Sequence, residues 1–180
     1  MHSDEYNEKI NRILESLGIT CDLHATRLPL YLEAQELTIA EVGSNGNLHL
    51  MTPPAAKAWH SMKEAAAKDR LILEIVSAFR SIEDQVDIIR EKIGRAMPIE
   101  TILTLSAPPG FSEHHTGCAV DINTPGCVAR EEAFENTDAF RWLTANAHRF
   151  GFTLSYPRGN RFGFIYEPWH WFFDAAKMNG

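Results

Sequence analysis

Two short segments hold the residues best suited to chemistry: Ser112-Glu113-His114-His115-Thr116-Gly117-Cys118-Ala119-Val120-Asp121 and Glu167-Pro168-Trp169-His170. Two imidazoles and one carboxylate make a three-ligand set suited to a tetrahedral Zn²⁺ whose fourth position stays open to water. Such a metal brings the pKa of its bound water to about 7 and polarises a carbonyl, so an amide can be attacked at neutral pH. Glu167 is then free to move protons, a task that needs hydrogen-bond reach of both the water and the leaving amine.

The order Ser-x-His-x-x-Gly-x-Ala-x-Asp, filled by Ser112, His114, Gly117, Ala119 and Asp121, precedes a Glu-x-x-His made by Glu167 and His170. This pattern resembles the signature of peptidase family M15. With Ser77-Ala78-Phe79-Arg80-Ser81, Gln85 and the Tyr166–His170 run, the chain is most similar to its VanY-type D-alanyl-D-alanine carboxypeptidases. The similarity spans Ser77 to Trp171, and residues 1–70 carry no matching motif.

The resemblance implies an α+β fold, hedgehog/DD-peptidase-like, with helices on a small, mainly antiparallel sheet and zinc in the sheet's groove. It implies one Zn²⁺ per chain on His114, Asp121 and His170, with Glu167 as the base. Arg80 would stabilise the oxyanion or hold a substrate carboxylate, since a guanidinium is a planar, permanent cation that suits either task. Ser112 and Gln85 join it as candidate substrate-binding residues. The implied substrate is a peptidoglycan-type peptide ending in D-alanine. Alternatives are a stem-peptide endopeptidase, an L,D-carboxypeptidase or a dipeptidase of the same family, an effector delivered to rival walls, or a non-catalytic zinc-binding module. A purely structural zinc site has no use for an uncoordinated base, so Glu167 argues against the last. One departure stands out: the branch commonly follows Trp-His with Trp-Arg-Tyr, where this chain has Trp171-Phe172-Phe173.

Neighbouring residues read more plainly. Side chains adjacent in an extended segment point to opposite faces, so His115 is not expected at the metal beside His114. Gly117 is expected at a turn or a close approach that a side chain would block. Trp169 is expected to pack between base and ligand, and His148 to sit on a helix away from the site. Arg158 and Arg161 flank Gly159-Asn160, where they meet an anionic peptide or face solvent.

Composition sets outer limits. The 180 residues are 44% hydrophobic, and the formal charge is -7. This length fits one domain with a real core, divided into N-terminal helix and hairpin elements over 1–70 and a motif-bearing core over 71–173. An acidic chain argues against nucleic acid as a partner, because phosphate binding draws on clustered Lys and Arg. Cys21, Cys118 and Cys127 form no disulfide framework. The polar, acidic start at Met1–Glu8 lacks the basic and apolar regions of a signal peptide, and no stretch reaches the ~20 apolar residues of a membrane span. The expected location is therefore cytoplasmic, or outside the membrane by a non-classical route.

Periodicity supplies the elements that must position the motifs. Ile10, Ile13, Leu14 and Leu17 predict a helix over 4–17 closed by Gly18. Alternation around Gly43–Gly46 predicts a hairpin over 37–51, and Thr52-Pro53-Pro54 opens a helix to Lys68. A strand follows over 71–78. Ser81 and Asp84 then suggest a capping box for a helix running to about Ala96. Pro98–Gly110 is ambiguous. A short strand carries Asp121, and a helix is expected over 136–150. The segments 152–156 and 162–166 read as a second hairpin across Pro157–Arg161.

Overall fold

The computed structural model describes residues 2–20 and 28–179; Cys21 lies outside them. Helix α1, His2–Ser16, buries Ile10 and Leu14. It ends as its glycine requires: Gly18 is left-handed (φ 70°), its N–H reaches the Glu15 carbonyl at 3.0 Å, and the Ile19 N–H reaches Leu14 at 2.9 Å. These two bonds satisfy carbonyls that the helix end would otherwise orphan. Strands β1, Thr38–Val42, and β2, Leu48–Met51, form the expected hairpin. Helix α2, Pro53–Lys68, turns Ala55, Trp59, Met62 and Ala66 inward at helical spacing.

The site is carried by a four-stranded antiparallel sheet of order β3-β4-β6-β5: β3 is Glu74–Ser77, β4 Ala119–Asn123, β5 Phe152–Leu154 and β6 His170–Phe173. All five residues of β4 are buried. Because side chains alternate across a strand, Val120 and Ile122 enter the main apolar cluster with Trp59, Phe134, Leu143 and Phe152, while Asp121 faces the other way. Register does the rest: Ser77 pairs with Asp121, and Asp121 pairs with His170. A ligand pair far apart in sequence thus becomes a cross-strand pair.

A second cluster packs α1 against α3, Ile82–Gly94, and α4, Ile99–Leu105, through Ile10, Leu14, Ile82, Val86, Ile89 and Ile102. The capping box is present, with the Asp84 N–H on the Ser81 hydroxyl and the Ser81 N–H on the Asp84 carboxylate, both at 3.0 Å. The ambiguous 98–110 stretch resolves into α4 and an irregular loop.

Two expectations change. The helix over 136–150 is α5, Asp138–Asn146, capped by Thr137 and followed by a 3₁₀ turn at Ala147–Phe150. The hairpin of 152–156 with 162–166 does not form: β5 pairs with β6, and 162–166 has no strand. Left-handed Gly159 and Gly163 break that run. The Phe164 carbonyl is taken by Asn160 Nδ2, and the Ile165 N–H by the Thr104 carbonyl at the end of α4.

Candidate active site

His114 lies not in an extended segment but in a 3₁₀ turn, Glu113–Thr116, which Ser112 caps by accepting from the His114 N–H at 3.3 Å. Gly117 ends the turn in a left-handed conformation (φ 66°). A Cβ there would also lie 2.9 Å from Leu37 Cδ2, so turn and close approach both demand glycine. The turn is lashed to the segment just after β3, with the Arg80 N–H donating to the His114 carbonyl at 3.2 Å. His115 stays away from the metal donors, although for a different reason than strand alternation. Its Nδ1 meets the Arg80 carbonyl at 2.7 Å and its Nε2 accepts from the Gly110 N–H at 3.1 Å.

His114, Asp121 and His170 converge, with one donor atom from each lying within 4.8 Å of the others. His114 Nε2 is 3.3 Å and His170 Nδ1 3.1 Å from Asp121 Oδ1. The far ring nitrogens decide what these near ones offer. His114 Nδ1 is 2.6 Å from the Ala78 carbonyl, an acceptor only, so it carries the proton and Nε2 presents a lone pair to the carboxylate. Two electron-pair donors facing each other in a buried site suit a cation between them. His170 Nε2 likewise lies 2.9 Å from Glu113 Oε2.

Without a metal, electrostatics polarises this cluster. Burial, reinforced by Arg80, pulls His114 down to about 4 despite Asp121. For His170 burial is outweighed by hydrogen bonds to Asp121 and Glu113, which push it up to about 10. Against burial, the two histidines hold Asp121 well below the usual carboxylate range. Glu167 goes the other way: burial raises it to about 7, opposed by His170 and Arg80. Its Oε2 is 3.9 Å from His170 Nδ1.

These groups open onto one cavity of about 370 Å³. Arg80, Ser112, Glu167 and Trp169 line it, as do Lys92, Arg130 and Tyr156, which sequence reading did not single out. Arg80 has neutral partners, Gln85 Oε1 at 2.8 Å and Ser77 Oγ at 3.1 Å. Gln85 itself is fully buried, and its Nε2 donates to the Ala107 carbonyl at 2.7 Å. Both ends of that amide are occupied, so its contact is with Arg80. Arg130 Nε is 3.3 Å from Asp121 Oδ2, and the Tyr156 ring lies tilted against the His170 ring, 4.6 Å between centroids. Arg158 is held outside by Glu132 and Glu135 at 3.2 and 2.8 Å. His148 is exposed, in the 3₁₀ turn after α5 rather than on the helix itself, and does not line this cavity. A larger depression of about 870 Å³, bordered by Arg70, Ile72, Thr124 and Val128, carries none of the convergent groups.

Residues 48–176 match the model of the VanY D-alanyl-D-alanine carboxypeptidase family. The chain belongs to this family. It is a zinc-peptidase family by the company it keeps: one similar structure is a mutant of the vancomycin-resistance D,D-pentapeptidase VanY in complex with Zn(II), 28% identical, with TM-score 0.60 over 82% of this chain and 80% of that one. The LdcB LD-carboxypeptidase superposes with TM-score 0.73 at 30% identity, covering 83% of this chain and 73% of that one. Among curated relatives, the putative carboxypeptidase YodJ of Bacillus subtilis is 35% identical over 64% of this chain and 43% of its own length. The chain therefore spans less than half of that relative. No described helix is long and apolar enough to cross a membrane.

Proposed function

We propose that this chain is a zinc-dependent carboxypeptidase acting on peptidoglycan-type peptides that end in D-alanine. The observation that carries the reading is the meeting, in one cavity, of the His114, Asp121 and His170 donors with the uncoordinated carboxylate of Glu167. A zinc ion held by those three residues supplies Lewis acidity and an activated water.

The remaining work falls to the chain's own side chains. Glu167 takes a proton from the attacking water and hands it to the departing amine, and a carboxyl raised towards neutrality suits both transfers. Arg80, fixed by Gln85 and Ser77 and without a carboxylate partner among the described residues, presents its cation to the carbonyl oxygen or the terminal carboxylate. Lys92 and Arg130 add positive charge to the same cavity, which favours the free carboxylate end of a peptide over its middle. Tyr156 packs against His170, and Trp169, buried between Glu167 and His170 in the chain, lines the same cavity.

The similarity to LdcB favours a second reading within the same chemistry, cleavage of an L,D bond. Purified protein incubated with defined muropeptides, with the products weighed by mass spectrometry, separates the two. Loss of one D-alanine from a peptide ending in D-Ala-D-Ala supports the first reading. Loss of D-alanine only from a peptide whose preceding residue is an L-centre supports the second. Cleavage inside the stem, or none with zinc supplied, refutes both.

A further inference from the structure

Glu113 lies between Ser112 and His114, is only 8% exposed, and enters none of the steps above. The 3₁₀ turn that aims His114 at the metal position throws the Glu113 side chain to the far side of the other histidine. There Oε2 lies 2.9 Å from His170 Nε2. The carboxylate is itself pinned: Ser155 donates to Oε2 at 2.6 Å, and the Tyr31 hydroxyl approaches Oε1 at 3.5 Å.

We propose that Glu113 is a positioning residue for the metal, acting through His170. A carboxylate can only accept, so the proton of the neutral ring must sit on Nε2, and Nδ1 is left with its lone pair directed at Asp121 and the metal position. A negative charge behind a ligating imidazole also makes it a stronger donor, and outer partners of this kind hold a ring in the orientation that binding needs. The other histidine is served by a backbone carbonyl, that of Ala78, which fixes its tautomer but adds no net charge. Of the two imidazoles, His170 is the one whose donor strength a side chain sets.

The inference rests on the zinc reading, so the test begins with wild-type protein, whose zinc Kd is measured by chelator competition. Failure of wild-type protein to bind zinc removes the reading and this inference with it. Given binding, Glu113→Gln keeps size and an acceptor oxygen but removes the charge, and it should weaken zinc roughly 10- to 100-fold, as loss of such an outer partner does. The cobalt-substituted variant should also show a shifted visible spectrum. Both are read at a temperature where circular dichroism shows the metal-free variant folded. A merely structural carboxylate would lower Tm and leave the Kd of the folded protein alone, and a Kd within threefold of wild type overturns the proposal. Should the Gln variant not fold, Ser155→Ala decides, since it frees the same oxygen without removing the charge. It should loosen zinc several-fold, and an unchanged Kd overturns the proposal.

Discussion

The two walls of the cavity are built differently. The metal wall stands on strands: β4 and β6 place Asp121 opposite His170 by register alone, and His114 is tied to the segment just after β3 through the Ala78 carbonyl and the Arg80 N–H. The facing wall comes from one side of α3, the end of α4 and the irregular 155–167 stretch, which contribute Lys92, Ser106, Phe164 and Glu167. Ladder hydrogen bonds repeat and fix every position along a strand, whereas a loop is held by a few separate bonds. On the proposed function, binding of the metal falls to the strand-borne wall, and choice of substrate to the wall that sequence change alters most readily.

If that division holds, the largest loss follows damage to the rigid wall. His114→Ala and His170→Ala should each abolish zinc loading and reduce turnover to background while the sheet stays intact. Metal content by mass spectrometry, with far-ultraviolet dichroism on the same samples, checks this. Retention of full zinc in either folded variant would break the ligand assignment. Next comes Glu167→Gln, which leaves the donors in place and removes the proton carrier. It should keep zinc and lose turnover by about 10²- to 10⁴-fold, so near-normal kcat would move the base elsewhere.

A smaller effect is expected at the junction of the walls. Arg80→Lys keeps charge but cannot bond Gln85 and Ser77 with one planar fork. It should stay folded and metallated yet fall in kcat/KM, and Gln85→Leu should reproduce part of that fall by releasing the guanidinium. If Arg80→Lys lowers Tm sharply with kinetics unchanged, Arg80 belongs to the structure and not to the reaction.

How much of this was legible in the sequence follows the same division. Periodicity located α1, α2 and both strands of the first hairpin, and the capping box at Ser81 and Asp84 located α3, because these signals are local in the chain. The convergence of His114, Asp121 and His170 was legible because the resemblance covers these residues, and the short strand expected at Asp121 is β4, whose alternation sets Asp121 opposite Val120 and Ile122. The false hairpin at 162–166 shows the limit: an apolar, aromatic run reads as a strand, but Gly159 and Gly163 and a bond to Thr104 decide otherwise. Glu113, Arg130 and Tyr156 were missed since their roles depend on which side chain lies across the fold. Gln85 was expected at the substrate, and the structure gives both ends of its amide to Arg80 and Ala107. The one available signal for Glu113 was a carboxylate set between two motif residues, Ser112 and His114.

The smallest expected effect concerns stability and sharpens the comparison at the loop wall's catalytic group. In the metal-free protein burial lifts Glu167 from 4.5 to about 7, with Asp121 adding to the shift and His170 and Arg80 resisting it. From pH 4.5 upward the unfolded chain releases this proton while the folded protein keeps it. The native state then binds more protons, and stability must fall as pH rises until the folded group also ionises near 7. Over that window the loss amounts to about 3 kcal/mol at most, at 1.36 kcal/mol per unit. Glu167→Gln removes this titration. Urea unfolding of the chelated wild-type and variant proteins at pH 5 and pH 8 should therefore show the variant gaining on wild type at the higher pH. Zinc should shrink the gain, because a cation in the same cavity favours the ionised carboxylate. A stability difference that stays constant between the two pH values would mean that water reaches Glu167 freely, and the facing wall would then be open at the point where the reaction needs it closed.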